Sequence, residues 1–146
     1  MRHFSCFATT HAPREVVWRI LSDVVAWPRW LPTVERIETL DGDELRVGAR
    51  FVVHQPALRP ATWKVAEVVE PESFTWEARM PGLLMIADHR VRRVSAVESQ
   101  VQLKFSFEGL LGGIAGVAYG GITQRYLAQE AAALTIAAEK KEAIPA

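Results

Sequence analysis

A single cysteine, Cys6, stands among 146 residues. That excludes an internal disulfide framework and any multi-thiolate metal site, and it fits a reducing compartment. Charge of one sign is also missing, since 17 Lys and Arg balance 17 Asp and Glu. Such a balance supplies no overall field for nucleic acid or an anionic bilayer. No apolar run reaches the roughly 20 residues of a spanning helix; the longest, Leu110 to Ile122, is broken by glycines. The start has no apolar stretch before Thr9-Thr10-His11, so it does not read as a secretory signal. What is there is 49% hydrophobic and 23% charged, enough for an ordinary core. The length suits one domain, residues 1–146, expected to be cytoplasmic, without nucleic-acid partner or stable membrane insertion.

Hydrophobic periodicity divides the chain. Val16, Val17, Ile20, Leu21 and Val24 recur at helical spacing behind Pro13, a residue well suited to a helix start. Trp27-Pro28 ends that helix, because a residue before proline is pushed out of the α region. Trp27 to Pro32 then forms a turn or short second helix with two indoles free to pack. From Val34 the period is two. Asp41-Gly42 predicts a hairpin turn, and Leu45, Val47, Ala49, Phe51 and Val53 alternate with Arg50 and His54 facing out. Gln55 would sit at the inner end of that strand, and 55–60 is a proline-bounded loop. Three further inward sets follow: Trp63, Val65, Glu67 and Val69; Phe74, Trp76, Ala78 and Met80; Met85, Ala87, His89 and Val91. Arg93 breaks the pattern unless a bulge brings Val94 inside, and the bulge is the expectation. Val101, Leu103, Phe105 and Phe107 complete an antiparallel meander with one buried face.

Residues 111–141 read as one long helix, apolar on two sides. Leu111, Ala115, Ala118, Ile122, Tyr126, Ala133 and Ile136 form one stripe. Glycines 112, 113, 116 and 120 lie opposite, continued by Leu127, Ala131, Leu134 and Ala138. Such a helix is either gripped by a curved sheet or touches a second chain, and a homodimer through Leu127 and Leu134 is the partner that stripe would take. The glycine run follows a strand and opens a helix, yet no second parallel strand comes after it, so it is not a dinucleotide loop. Either the glycines allow close backbone approach to the sheet, or they leave room beneath the helix and let it open as a gate.

The order of these elements and the segments Ala12-Pro13-Arg14-Glu15-Val16-Val17-Trp18, Ser22-Asp23, Trp27 to Pro32, Val47-Gly48-Ala49-Arg50, Trp63 to Glu67, Phe74-Thr75-Trp76 and Ala87-Asp88-His89 carry a resemblance over nearly the whole chain. It resembles the START and birch-pollen-allergen (SRPBCC) superfamily, and within it the polyketide cyclase/dehydrase and lipid-transport family. The resemblance implies an α+β helix-grip fold: about seven antiparallel strands curved around a long C-terminal helix, with two short helices after the first strand. It also implies a cavity between sheet and helix for a small hydrophobic or amphipathic molecule, such as a lipid, polyketide or aromatic metabolite. No cofactor is expected.

The inward set Phe51, Trp63, Trp76, Met85, His89, Phe105 and Phe107 would wall that cavity, with Gly116, Tyr119 and Gly120 from the helix. The alternative is a cyclase or dehydratase using His89 or Glu67 as acid or base. His89 falls inward, with Phe74 and Phe107 as cross-strand neighbours if the turns are short. Glu67 falls inward on another strand, more than ~10 Å from His89 at standard strand spacing, so the two make no dyad. A third reading is a ligand-free module that dimerises through its last helix. No histidine has a second ligand at helical or hairpin spacing, so no metal site is expected. Arg90, Arg92 and Arg93 read as a solvated face.

Overall fold

The computed structural model describes residues 2–143. Strand β1 (Arg2–Thr10) leads into helix α1 (Arg14–Ser22) and a 3₁₀ segment (Val24–Arg29). Strands β2 (Arg36–Thr39), β3 (Arg50–His54), β4 (Ala61–Val69), β5 (Ser73–Met80), β6 (Leu83–Arg93) and β7 (Ser99–Glu108) follow, and helix α2 (Gly112–Ala143) closes the chain. All seven strands join one antiparallel sheet in the order β1-β7-β6-β5-β4-β3-β2. Helix α2 lies along β1 and β7 and against α1, which is the helix-grip arrangement. No helix among the described residues is long and apolar enough to cross a membrane.

Alternation builds most of the sheet. In β5, Phe74, Trp76 and Ala78 are buried, and in β7 so are Val101, Leu103 and Phe107. Helix α1 turns Val17, Trp18 and Leu21 to the same core. Where α1 stops at Asp23, the 3₁₀ segment carries Trp27 inward; its Nε1–H donates to the Leu21 carbonyl at 2.9 Å. Burial of each such side chain is worth about 1.5–3 kcal/mol.

Four local expectations need correction. In β4, Val65 pairs with Trp76 but Glu67 pairs with Thr75, so Ala66 is an extra residue that reverses the alternation. Glu67 and Val69 therefore face outward and are exposed. Leu45 and Val47 are not in a strand: Gly48, at φ +90°, turns the chain there, and Val47 is exposed. The bulge before Val94 is absent. Arg93 pairs with Ser99, and a turn in which Val94 and Ser95 N–H both donate to the Glu98 carbonyl leaves Val94 exposed. That turn centres on Ala96, so His89 lies opposite Phe74 and Leu103, while Phe107 lies opposite Met85.

The dimer stripe on α2 is also revised. Leu127, Ala131, Leu134 and Ala138 are buried inside the domain, whereas Ile114, Val117 and Ile136 are exposed. Gly116 and Gly120 belong to the inner side, where a Cβ would meet the Arg2 side chain at 2.2 Å and the Phe4 ring at 2.9 Å. They are close-approach residues against β1, not cavity wall. By contrast, a Cβ on Gly113 or Gly121 meets nothing within 4 Å. Gly113→Ala and Gly121→Ala should each stabilise the protein by about 0.5–1 kcal/mol. Gly120→Ala should instead cost on the order of 1 kcal/mol, because the Phe4 ring must move. Urea denaturation of the three variants checks the contrast; equal shifts would mean that the helix is not seated on β1 as described.

Candidate functional site

Helix α2 is closest to β1 and β7, and between it and the middle of the sheet lies a cavity of about 690 Å³. The sheet contributes Trp63, Trp76, Met85, Phe105 and Phe107, and the helix Tyr119 and Ile122. Seven of the expected wall residues, these five with Tyr119 and His89, border it. Phe51 does not: it is fully buried in the core beside the wall, its ring 6.1 Å from Trp76. Gly116 and Gly120 are occupied with β1, as described above. Gln55 reaches the cavity from the end of β3, as its position in the strand implies. The adjoining loop is tied to the helix by Tyr126, whose hydroxyl donates to the Pro56 carbonyl.

His89 sits at the inner end among rings. It stacks on Phe74 at 4.1 Å with planes 9° apart, and it meets Trp76 edge-on at 5.7 Å. Its Nδ1 is 3.3 Å from the Phe74 carbonyl. A carbonyl only accepts, so Nδ1 carries the hydrogen and Nε2 presents a lone pair. Facing Nε2 at 3.7 Å is Oε2 of Glu130, from α2. Glu130 is not among the residues expected at the site, although it stands three residues after Leu127 and four before Leu134, on the inner side of the helix. Glu67, a candidate acid or base by its expected inward position, is on the outer face of the sheet.

Burial decides the protonation of this pair. It lowers the His89 pKa to about 4, against weaker upward pulls from the Phe74 carbonyl and the Asp88 charge. It raises the Glu130 pKa to about 8. Although the distance is that of an ion pair, the two groups are therefore uncharged near neutrality: a carboxylic acid faces an imidazole lone pair. At 3.7 Å the gap exceeds hydrogen-bond length. Together they hold one proton, next to an aromatic cavity. Among the described residues, no three His, Cys, Asp or Glu side chains gather as metal ligands.

This pattern of sheet, gripped helix and cavity between them coincides with a family-wide match: the model for "Polyketide cyclase / dehydrase and lipid transport" covers residues 1–139. The chain belongs to this family. No curated protein matches the sequence significantly. Among solved structures, the Zhui aromatase/cyclase from Streptomyces sp. R1128 is similar at 21% identity, with 97% of this chain and 95% of that chain covered and a TM-score of 0.78. Norcoclaurine synthase from Thalictrum flavum, in complex with dopamine and hydroxybenzaldehyde, is similar at 16% identity over 92% of this chain and 84% of that one, with a TM-score of 0.73. At such identities the likeness is one of fold.

Proposed function

We propose that this family member binds a small apolar or amphipathic molecule, of the lipid, polyketide or aromatic-metabolite class, in the cavity under α2. The observation that carries the reading is the cavity itself: about 690 Å³, aromatic walls, and one polar pair at its inner end. Small-molecule sites commonly have this makeup and size. The neutral fluorophore N-phenyl-1-naphthylamine (NPN) should bind with enhanced emission. Ala78→Phe, which sends a ring inward from β5, should weaken that binding by about tenfold or more. Unchanged binding in the variant would place the dye elsewhere and defeat the proposal.

The His89–Glu130 pair favours a second reading, acid–base catalysis on a bound carbonyl compound. In a dehydration, Nε2 of His89 takes the proton from the carbon beside a carbonyl. The bond to a β-hydroxyl breaks, and Glu130 gives its proton to the departing oxygen, which leaves as water. Proton return from His89 to Glu130 restores the starting state, with no net proton gained. Mass spectrometry of candidate β-hydroxy ketones incubated with the protein decides between the readings: loss of water that disappears in His89→Gln marks an enzyme, and unchanged compounds mark a binder.

A further inference from the structure

The inner end of the cavity has no standing charge, because its carboxyl is protonated and its imidazole neutral near pH 7. A ligand bearing a permanent charge must keep that charge at the mouth. There the loop between β3 and β4 places Arg59, which borders the cavity and is exposed to solvent. The loop is fixed in shape. Leu58 N–H donates to the Gln55 carbonyl at 3.3 Å, Ala57 is held at φ +63°, and Tyr126 clasps Pro56. Pro60 further restricts the backbone of Arg59.

Among the described residues no carboxylate pairs with Arg59. The other charges along the walls are engaged or turned away. Arg79 contacts Glu77 at 3.2 Å, and Asp88 accepts from Thr75 at 2.6 Å and Arg90 at 2.7 Å. Lys104 is exposed beside Asp88 on the outer face of the sheet. Arg59 is thus an unpaired guanidinium on a shaped loop, at the open end of an apolar chamber.

We infer that the ligand is an amphipathic anion, its apolar body among the aromatic walls and its carboxylate or phosphate head on Arg59. This rests on the cavity-binding reading and adds the headgroup to it. A guanidinium fork suits either oxyanion.

Two dyes with one scaffold separate the claims: NPN is neutral, and 8-anilinonaphthalene-1-sulfonate (ANS) adds an anionic group. Arg59→Gln should lower the ratio of ANS to NPN affinity about three- to tenfold, with Arg59→Lys between the two. Dodecanoate or dodecyl phosphate should displace ANS from the wild type at lower concentration than dodecanol, and whichever acid is stronger identifies the head. An unchanged ratio in Arg59→Gln, or dodecanol competing as well as both acids, overturns the inference while leaving cavity binding intact. ANS binding that survives Ala78→Phe overturns it as well, since the anion would then sit outside the cavity. Failure of NPN itself to bind removes the cavity reading and this inference with it.

Discussion

Between pH 6.5 and pH 8 the protein should lose about 1 kcal/mol of unfolding free energy, and Glu130→Gln should lose none over the same range. The cause is a difference in bound protons between the two states. Folded, the Glu130 carboxyl keeps its proton up to about pH 8; unfolded, it gives it up near 4.5. Folded, His89 stays neutral down to about pH 4; unfolded, it takes a proton below 6.5. From about 4.5 to 6.5, each state of the pair holds one proton, on Glu130 when folded and on His89 when unfolded, so the pair adds no slope. Above 6.5 the unfolded pair holds none while the folded pair still holds one, and stability falls as pH rises. Between about 4.5 and 4 the unfolded pair holds two protons and the folded pair one, so stability dips slightly as pH drops; below about 4 both states hold two and the slope vanishes. Glu130→Gln removes the high-pH limb, and His89 alone then makes stability fall as pH drops from about 6.5 to about 4, where the wild type is nearly flat. Urea denaturation at half-unit pH steps checks both limbs. A wild-type profile as flat as the variant between 6.5 and 8 would mean that Glu130 is ionised in the fold.

Replacing Trp27 by alanine should cost about 3–5 kcal/mol, a large share of the total for a domain of this size. Trp27 is 2% exposed and its ring lies 5.3 Å from Trp76, 6.2 Å from Phe74 and 5.7 Å from His89. Truncation opens a void where α1, the 3₁₀ segment and the sheet meet, and it leaves the Leu21 carbonyl without its donor. Trp27→Phe retains most of the ring contact and should cost about 1–2 kcal/mol, from the lost hydrogen bond and volume. A second readout tests the placement beside His89. In Trp27→Ala, water reaches the imidazole, so its titration followed by NMR should move up from about 4 toward the ordinary 6.5. An alanine variant with near-normal stability would contradict the central position given to Trp27.

Strict alternation made β5, β6 and β7 legible residue by residue, and with them His89, Trp76, Met85 and Phe105. The same rule misplaced Glu67, because nothing in Trp63 to Val69 announces that Ala66 is unpaired; a bulge depends on the partner strand as much as on its own residues. Val94 failed similarly, through a turn whose centre the sequence leaves open. Glu130 could have been found, since spacing alone sets it on the Leu127–Leu134 face, but one carboxylate in a helical stripe looks like an ordinary solvated residue until its surroundings are known. The fold-level outline followed from periodicity together with family resemblance. Which inner residues wall a cavity, and which, like Phe51, are packed into the core, is a matter of a few ångströms and leaves no trace in the pattern.

The seating of α2 on β1 has one more consequence. With Gly116 and Gly120 pressed on Arg2 and Phe4, and Tyr119 and Ile122 facing large rings, helix and sheet diverge like the jaws of a wedge. The narrow end sets the angle, and the wide end sets the capacity. Met85, half-buried at the wide end, can therefore change size, and with it the volume of the cavity, without touching the hinge line that keeps the jaws in register. A fold built this way sets the angle between helix and sheet at one edge and the volume of the space between them at the other.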